Sequence, residues 1–298
     1  MGQDILAATD NGKAVSAMSN PASRSRYLTL GGLETHFTEW GAEDAPAIVM
    51  WHGLARTCRD FDTAAARLSR RFRVICPDTI GRGLSAWSAN PEQDYTVAAY
   101  AGHALELLEK LGIERLRWVG TSMGGVVGML LAAGPLKGRI ERLVVNDIGP
   151  RLNPVAVERI RAYVSVVPSF ATMTEFQAFI RFIYQPFGAL SEADWTLMTE
   201  SSVRRQDDGR LTLHYDPKVM QVFAAAAGEF DLWPVWDLIE CPTLALRGAE
   251  SDLLLADTAE EMTTRGPKAQ LVTIPACGHA PALNVPEQLE VLEGFLGA

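Results

Sequence analysis

The chain has 298 residues, 48% of them hydrophobic, and a formal net charge of −9. This length and hydrophobic content suffice for one large core with an insertion. Because no run of basic residues could follow a phosphate backbone, we expect no nucleic-acid partner. The apolar stretches are strand-sized or interrupted by glycine and charge, so we also expect no transmembrane helix.

The N-terminal segment lacks the continuous apolar run of a signal peptide. It also carries two acidic residues, Asp4 and Asp10, which are unfavourable in such a peptide. We therefore predict that residues 1–25 form a flexible arm and that the protein is cytoplasmic.

The four cysteines have neither CxxC spacing nor paired histidines nearby. They are Cys58, Cys76, Cys241 and Cys277. This pattern predicts no zinc site, no other metal site and no redox pair. Reduced thiols agree with a cytoplasmic location.

Short apolar runs alternate with segments of helical spacing along most of the chain. The predicted strands are residues 27–30, 33–40, 47–51, 72–76, 116–119, 143–146, 243–247 and 271–275. The first two flank a Gly31-Gly32 turn and predict a hairpin. Helical spacing covers residues 61–68 and 96–111. This alternation predicts a mostly parallel sheet with helices on both faces.

The pattern changes between residues 153 and 237. This stretch has no strand-sized apolar run, but it has helical spacings that are rich in aromatic residues. We therefore predict a helical segment between the sixth and seventh strands.

A glycine–serine–glycine pattern follows the fifth predicted strand. Gly120-x-Ser122-x-Gly124 lies between an apolar run and a stretch that can begin a helix. A serine hydroxyl is a weak nucleophile at neutral pH, so it must be held out of a tight turn toward a base. The crowding of such a turn favours glycine on both sides. Ser122 is therefore the predicted nucleophile.

Polar or glycine-rich motifs follow other predicted strands. They are His52-Gly53, Asp78-x-x-Gly81-x-Gly83-x-Ser85, Gly248-x-x-x-Asp252 and Gly278-His279. An open α/β sheet places its chemistry at the carboxyl ends of its strands, so these motifs are expected to share one edge. The glycines after Asp78 lack the P-loop lysine and the full dinucleotide-binding spacing, which predicts a structural loop.

With these motifs in this order, the chain resembles the α/β-hydrolase superfamily, in the branch of smaller esterases, lactonases and carbon–carbon-bond hydrolases. The resemblance extends from Tyr27 to the C-terminus. It implies an α/β-hydrolase fold, with a mostly parallel eight-stranded sheet flanked by helices and a helical cap inserted after strand six. The implied core comprises residues 26–150 and 238–298, and the implied cap, or lid, comprises residues 151–237.

The resemblance also implies a catalytic triad in the chain order serine, acid, histidine. His279 is expected to act as general base on Ser122 and then as general acid toward the leaving group. Asp252 is expected to orient His279, because its position matches the usual loop after strand seven. Asp147 is the alternative acid, since some relatives carry the acid after strand six, and Glu250 is a third candidate.

Two backbone N–H groups, of Leu54 and Met123, are expected to form the oxyanion hole. His52 is expected to hold the turn before Leu54 by hydrogen bonding and not to act as a base. Arg56 and Arg82 are candidates to contact an anionic substrate, although a surface position is the default for arginine.

The aromatic content of the implied cap predicts an apolar substrate pocket. Trp233 and Trp236 are the first candidates to line it and to select among substrates.

The resemblance implies hydrolysis of a small or medium carboxylic ester or lactone through an acyl-Ser122 intermediate, without metal or organic cofactor. Serine at this position separates the chain from haloalkane dehalogenases and most epoxide hydrolases of the fold, which attack with aspartate. The open alternatives are a carbon–carbon-bond hydrolase acting on a vinylogous diketone, a perhydrolase, an amidase and a non-enzymatic ligand receptor. The expected partner is a small acyl substrate, and the protein is expected to be a monomer or a homodimer.

Overall fold

The computed structural model describes residues 23–164, 167–225 and 230–297. The predicted N-terminal arm lies outside the described residues up to position 22. The first strand begins at Arg24, so the last two residues of that predicted arm belong to the sheet.

The described residues form ten strands, eight of them in one sheet. The strands are β1 (Arg24–Leu30), β2 (Leu33–Trp40), β3 (Ala47–Trp51), β4 (Arg73–Pro77), β5 (Leu116–Thr121), β6 (Ile140–Asn146), β7 (Val203–Arg205), β8 (Leu211–Leu213), β9 (Thr243–Gly248) and β10 (Gln270–Ile274). The large sheet has the order β1-β2-β4-β3-β5-β6-β9-β10. β1 and β2 form an antiparallel hairpin, and β2 is antiparallel to β4. The six strands from β4 to β10 in this order run parallel to one another. The predicted mostly parallel eight-stranded sheet is confirmed.

Helices cover both faces of the sheet. The α-helices are α1 (Asp62–Leu68), α2 (Pro91–Asp94), α3 (Val97–Lys110), α4 (Met123–Ala133), α5 (Pro154–Val164), α6 (Met173–Ile183), α7 (Glu192–Ser202), α8 (Pro217–Ala225), α9 (Trp233–Trp236), α10 (Ala256–Met262) and α11 (Pro286–Gly297). Two 3₁₀ turns are Cys58–Phe61 and Gln185–Phe187. No helix among the described residues is long and apolar enough to cross a bilayer.

The alternation of side chains along each strand divides the core into two clusters. Along β3, Ile48 belongs to the cluster formed with α1 and α11, and Val49 belongs to the cluster formed with α3 and α4. Because both faces are covered, the central parallel strands are apolar on both sides and are readable from the sequence as short continuous runs.

The carboxyl ends of the central strands lie at one edge of the sheet. The strand register pairs Trp51 with Gly120, Thr121 with Asn146, and Asn146 with Leu246. The loops that follow β3, β5, β6 and β9 therefore emerge side by side, as the motif positions predict.

The insertion between β6 and β9 contacts this same edge. In its Gln185–Phe187 turn, the carbonyl oxygen of Pro186 accepts a hydrogen bond from the N–H of Gly278 at 2.7 Å. The hydroxyl of Ser202, also in the insertion, accepts a hydrogen bond from Arg56. It is mostly helical, as predicted, but it also contains the β7–β8 hairpin, which the sequence pattern does not predict. These strands have only three residues each, and Leu211 pairs both with Arg205 of β7 and with Phe170.

Candidate active site

The turn between β5 and α4 holds Ser122 in an unusual backbone conformation. Its φ of 50° lies in the left-handed region, which costs energy for a residue with a side chain. A Cβ on Gly120 would lie 2.2 Å from the carbonyl oxygen of Gly124, and one on Gly124 would lie 2.0 Å from that of Trp51. Only glycine therefore fits at these two positions, which explains the spacing around Ser122.

Three polar side chains from different loops meet at this turn. His279 Nε2 lies 2.9 Å from Ser122 Oγ, and His279 Nδ1 lies 2.8 Å from Asp147 Oδ2. An ionised carboxylate can only accept, so Nδ1–H donates to Asp147 and Nε2 is left to accept from the Ser122 hydroxyl. The structure thus brings the predicted nucleophile and base together with the alternative acid.

Asp147 lies directly after β6 and is fully buried. Its backbone is also left-handed, with a φ of 54°. Oδ1 accepts a hydrogen bond from the N–H of Gly248 at 2.7 Å, and Oδ2 accepts one from the Ser251 hydroxyl at 2.6 Å. Together with His279, three donors hold the carboxylate, so its orientation toward the imidazole is fixed before any substrate binds.

The prediction that Asp252 partners the histidine is wrong. A hydrogen bond from Ser251 N to Gly248 O closes a turn after β9, which directs Ser251 inward and leaves Asp252 outside. The Asp252 side chain is half exposed and pairs with Arg159 at 2.6 Å. Glu250, the third candidate, is exposed as well.

Asn146 links the three loops that carry these side chains. Its side-chain Nδ2 donates to Thr121 Oγ1 at 3.1 Å and to Pro281 O at 2.9 Å, and its main-chain carbonyl oxygen accepts from Ser122 N at 3.0 Å. Thr121 precedes the serine, Asn146 precedes the acid, and Pro281 follows the histidine by two positions. One buried amide therefore fixes their relative positions, a role that the sequence analysis missed.

The backbone groups predicted for the oxyanion hole lie on either side of Ser122. Met123 is the first residue of α4, so its N–H has no intrahelical acceptor. On the other side, a Cβ on Gly53 would lie 3.6 Å from the Ser122 Cβ, which places the Gly53–Leu54 peptide beside the nucleophile.

His52 stabilises this loop, as predicted. Its Nδ1–H donates to Gly53 O at 2.7 Å, and its Nε2 accepts from Thr79 N at 2.9 Å. In the neutral imidazole of His52, both ring nitrogens are therefore hydrogen-bonded. Burial lowers the pKa of His52 to about 4, so the ring remains neutral at physiological pH.

Arg82 and Arg56 are buried rather than exposed, contrary to the default expectation. Arg82 Nε donates to Leu54 O at 3.0 Å and Nη1 donates to Tyr100 Oη at 2.6 Å. Arg56 pairs with Asp60 and lies over the Tyr184 ring of the insertion at 4.3 Å. Both guanidinium groups are thus occupied by protein partners, and Arg82 supports the carbonyl side of the Leu54 loop.

A second buried polar cluster contains residue types that ligate metals. Asp78 Oδ2 accepts from His36 Nδ1 at 2.7 Å and from Leu84 N at 3.0 Å, and Oδ1 accepts from Cys58 N at 2.7 Å. Burial alone raises the pKa of the Asp78 carboxyl, but these hydrogen bonds together hold it below its usual range. Three N–H donors thus bind the Asp78 carboxylate, and these hydrogen bonds stabilise the loop after β4. This agrees with the structural role predicted for that loop.

The prediction that Trp233 and Trp236 line a substrate pocket is wrong. Trp236 is fully buried and its Nε1 donates to Arg265 O at 3.1 Å, while the Arg265 guanidinium lies over the Trp233 ring at 4.2 Å. Arg265 precedes β10, so this contact lies at the amino edge of the sheet, opposite His279. Aromatic content alone does not indicate which edge a residue contacts.

A cleft opens between the insertion and the first 3₁₀ turn, and it reaches Thr121, the residue before Ser122. It encloses about 530 Å³, counting the solvent space at its mouth. Thr121 and Pro281 line it from the core, and Phe187, Leu190 and Met198 line it from the insertion. The insertion thus contributes apolar residues in α7 and just before it to this cleft.

Comparisons with known proteins agree with this fold. A model of the alpha/beta hydrolase family matches residues 48–290. The 3-hydroxybutyrate-oligomer hydrolase of Cupriavidus necator is 40% identical over 269 residues, which cover 87% of this chain and 91% of that protein. The 2-(acetamidomethylene)succinate hydrolase of Mesorhizobium japonicum is 25% identical over a match that covers 92% of this chain and 95% of that protein.

A solved structure supports the same assignment. The crystal structure of an alpha/beta hydrolase from Novosphingobium aromaticivorans superimposes with a TM-score of 0.83 at 35% identity, over 92% of this chain and 98% of that chain. The match of the family model to most of the chain and the 40% identical relative lead to one conclusion. This chain belongs to the alpha/beta hydrolase family.

Proposed function

We propose that this protein is a serine hydrolase that cleaves a carboxylic ester through an acyl-Ser122 intermediate, with Asp147 as the acid of the triad. One observation carries the proposal. The contacts from Ser122 Oγ to His279 Nε2 and from His279 Nδ1 to Asp147 Oδ2, at 2.9 Å and 2.8 Å, have the geometry that a base-activated serine requires.

In the acylation step, His279 Nε2 takes the proton of Ser122 as Oγ attacks the ester carbonyl carbon. The tetrahedral intermediate collapses when the alkoxy group leaves and takes that proton from Nε2, which releases an alcohol. In the deacylation step, a water molecule gives a proton to Nε2 and attacks the acyl carbon. The proton then returns to Ser122 Oγ and the carboxylic acid is released.

The remaining groups act on charge that develops during these steps. Asp147 stabilises the imidazolium that forms when His279 takes the proton. The N–H groups of Leu54 and Met123 would donate to the oxyanion of the tetrahedral intermediate, and each such donor contributes on the order of 3 kcal/mol in known cases.

For the substrate class, we propose short aliphatic hydroxyacyl esters, including oligomers of 3-hydroxybutyrate. The Cupriavidus necator relative supports this choice, since it carries that activity in its name and is 40% identical over most of both chains. The cleft between the insertion and the first 3₁₀ turn supports it too. Phe187, Leu190 and Met198 give it apolar surface on which aliphatic units of a few carbons can pack, and polar residues such as Thr121 and Ser201 line the rest of it.

The test is a substrate panel of p-nitrophenyl esters of increasing chain length, lactones, and the dimer and trimer of 3-hydroxybutyrate. We expect turnover of short esters and of the oligomers, and we expect Ser122→Ala to lower kcat by about 10⁶ while folding is retained. Ser69→Ala is the matched control, because Ser69 is a buried serine whose hydroxyl donates to Ala66 O in its own helix end.

Mass spectrometry after treatment with a serine-directed phosphonate provides the second measurement. A single adduct on Ser122 is expected. Turnover of vinylogous diketones, of amides, or of peroxide with a carboxylic acid in preference to esters would replace the ester assignment by the corresponding activity. Stoichiometric acylation without turnover would indicate a ligand receptor.

A further inference from the structure

Ser251 is a buried hydroxyl that touches the acid of the triad. Only 5% of the residue is exposed, and its Oγ lies 2.6 Å from Asp147 Oδ2. The turn from Gly248 to Ser251 that excludes Asp252 from the site is the same turn that directs this hydroxyl inward.

The direction of this hydrogen bond is fixed by other donors. Ser251 Oγ accepts from the N–H groups of Leu253 at 3.3 Å and Leu254 at 3.2 Å. Since a hydroxyl has one proton and two lone pairs, these contacts leave the proton free to point at the carboxylate. Ser251 is therefore a donor to Asp147, and it shares the acceptor atom Oδ2 with His279 Nδ1.

We propose that Ser251 is a positioning residue of the triad, whose hydroxyl holds the Asp147 carboxylate and takes up part of its negative charge, and so weakens His279 as a base. This inference rests on the proposed roles of Ser122, His279 and Asp147. A donor on the carboxylate reduces the charge that faces the imidazolium, so removal of the donor strengthens that attraction. Gly248 N–H and His279 still hold the two carboxylate oxygens when the hydroxyl is absent.

The other charged and titratable groups around the triad do not depend on this hydroxyl. The Arg247 guanidinium is held by three carbonyl oxygens of the loop after β9, including Ser251 O. Glu250 is exposed, and Asp252 is paired with Arg159. Burial, with added repulsion from nearby carboxylates, raises the pKa of Cys277 on the histidine loop, so that thiol stays neutral.

The decisive experiment is the pH profile of kcat/KM for Ser251→Ala on a short p-nitrophenyl ester. We expect the acidic limb to move to higher pH by about 0.5–1 unit, because the imidazolium is better stabilised. The plateau is expected to fall by no more than about tenfold, since two anchors of the carboxylate remain. Ser251→Thr keeps the donor and should restore the wild-type limb.

A second variant of Ser251 and a control at another serine complete the test. Ser251→Cys retains the volume but donates only weakly, so it should shift the limb in the same direction even if the alanine variant does not fold. Ser69→Ala makes the same chemical change in a buried serine away from the site and should leave the limb unchanged. An unchanged limb in both Ser251→Ala and Ser251→Cys, or a shift to lower pH, would overturn the proposal.

A readout without ester turnover separates this inference from the proposed function. The rate of Ser122 phosphonylation depends on the same base, so its pH profile should show the same shift in Ser251→Ala. If esters are not substrates but phosphonylation shifts as expected, the substrate class fails and the role of Ser251 stands. If esters are turned over and neither profile shifts, the role of Ser251 fails alone.

Discussion

Two loops at the carboxyl edge of the sheet each carry an aspartate, and their environments are opposite. After β6, Asp147 follows the strand at once, is fully buried, and receives hydrogen bonds from Gly248, Ser251 and His279. After β9, the chain turns first, and Asp252 lies half exposed against Arg159.

The partners of a carboxylate, more than its place in a sequence pattern, decide its role. A buried charge requires donors on each oxygen, and those donors also fix its direction. An exposed carboxylate is solvated and keeps several rotamers, so it cannot hold an imidazole in one orientation. The following predictions test this contrast between buried, partnered groups and exposed ones.

The largest effect is expected for the two aspartates themselves. Asp147→Asn should lower kcat by about 10⁴, because the amide cannot stabilise the imidazolium and favours the wrong tautomer of His279. Asp252→Asn should stay within about twofold of wild type, since an exposed carboxylate away from the triad contributes little. The measurement is steady-state kinetics on a short ester, with circular dichroism to verify folding.

A matched pair makes this test independent of substrate choice. The phosphonylation rate of Ser122 should fall for the residue 147 variant and not for the residue 252 variant. Equal losses in both variants, or the reverse order, would contradict the contrast between the two loops.

The second prediction concerns buried and exposed aromatic residues. Trp236→Ala should lower the free energy of unfolding by about 3–5 kcal/mol, because the fully buried ring would leave a cavity. Phe182→Ala, at a position 78% exposed, should change it by less than about 0.5 kcal/mol. Urea denaturation measures both.

Steady-state kinetics of the Trp236→Ala variant test whether this tryptophan lies away from the substrate. Since Trp236 lies at the amino edge of the sheet, the relative kcat/KM values for esters of different length should not change in its variant. A reordered ester preference would place this residue near the substrate after all.

The third prediction concerns His52 in the loop after β3, whose buried ring has a pKa of about 4. In the unfolded chain, His52 has its ordinary pKa of 6.5. Between pH 6.5 and about 4, His52 is therefore protonated in the unfolded state and neutral in the folded state. Stability from this group is present above pH 6.5 and is lost as the pH falls to about 4, by about 3 kcal/mol.

His52→Gln supplies the reference, because glutamine does not titrate. Unfolding free energies from urea titrations at several pH values should fall more steeply for the wild type than for the variant in this window. If the wild-type and variant stabilities changed equally with pH, His52 would take up its proton as readily in the folded protein as in the unfolded chain, and the prediction would be wrong.

Sequence reasoning succeeds where the signal is local. The central parallel strands of the sheet are short apolar runs, the first two strands flank a glycine turn, and Ser122 lies between glycines that the crowded turn requires. The apolar runs and Gly120 depend on neighbours a few residues away, whereas Gly124 is required by Trp51 O, which is distant in the sequence but close in every turn of this kind between adjacent strands. The placement of His279 after the last strand follows from the same edge rule.

The acid and the tryptophans depend on contacts that local patterns do not encode. Asp147 and Asp252 both follow strands, and the hydrogen bond between Ser251 N and Gly248 O decides which one faces inward. Likewise, the aromatic content of the insertion is visible in the sequence, but the contact of Trp236 with Arg265 requires the path of α10 across the sheet. The residue types are readable from the sequence here, whereas the choice of partner is not.

The smallest effect is expected at the partner of the exposed aspartate. Arg159→Ala removes the ion pair with Asp252, in which the two side chains are 56% and 50% exposed. Pairs of this kind contribute about 0–1 kcal/mol, because solvent screens the attraction and two long side chains lose freedom to form it. The unfolding free energy should therefore change by less than about 1 kcal/mol, and kcat should remain unchanged. Added salt should reduce even this difference. A loss of activity in Arg159→Ala would mean that the loop after β9 acts on the triad through its exposed residue as well as through Ser251.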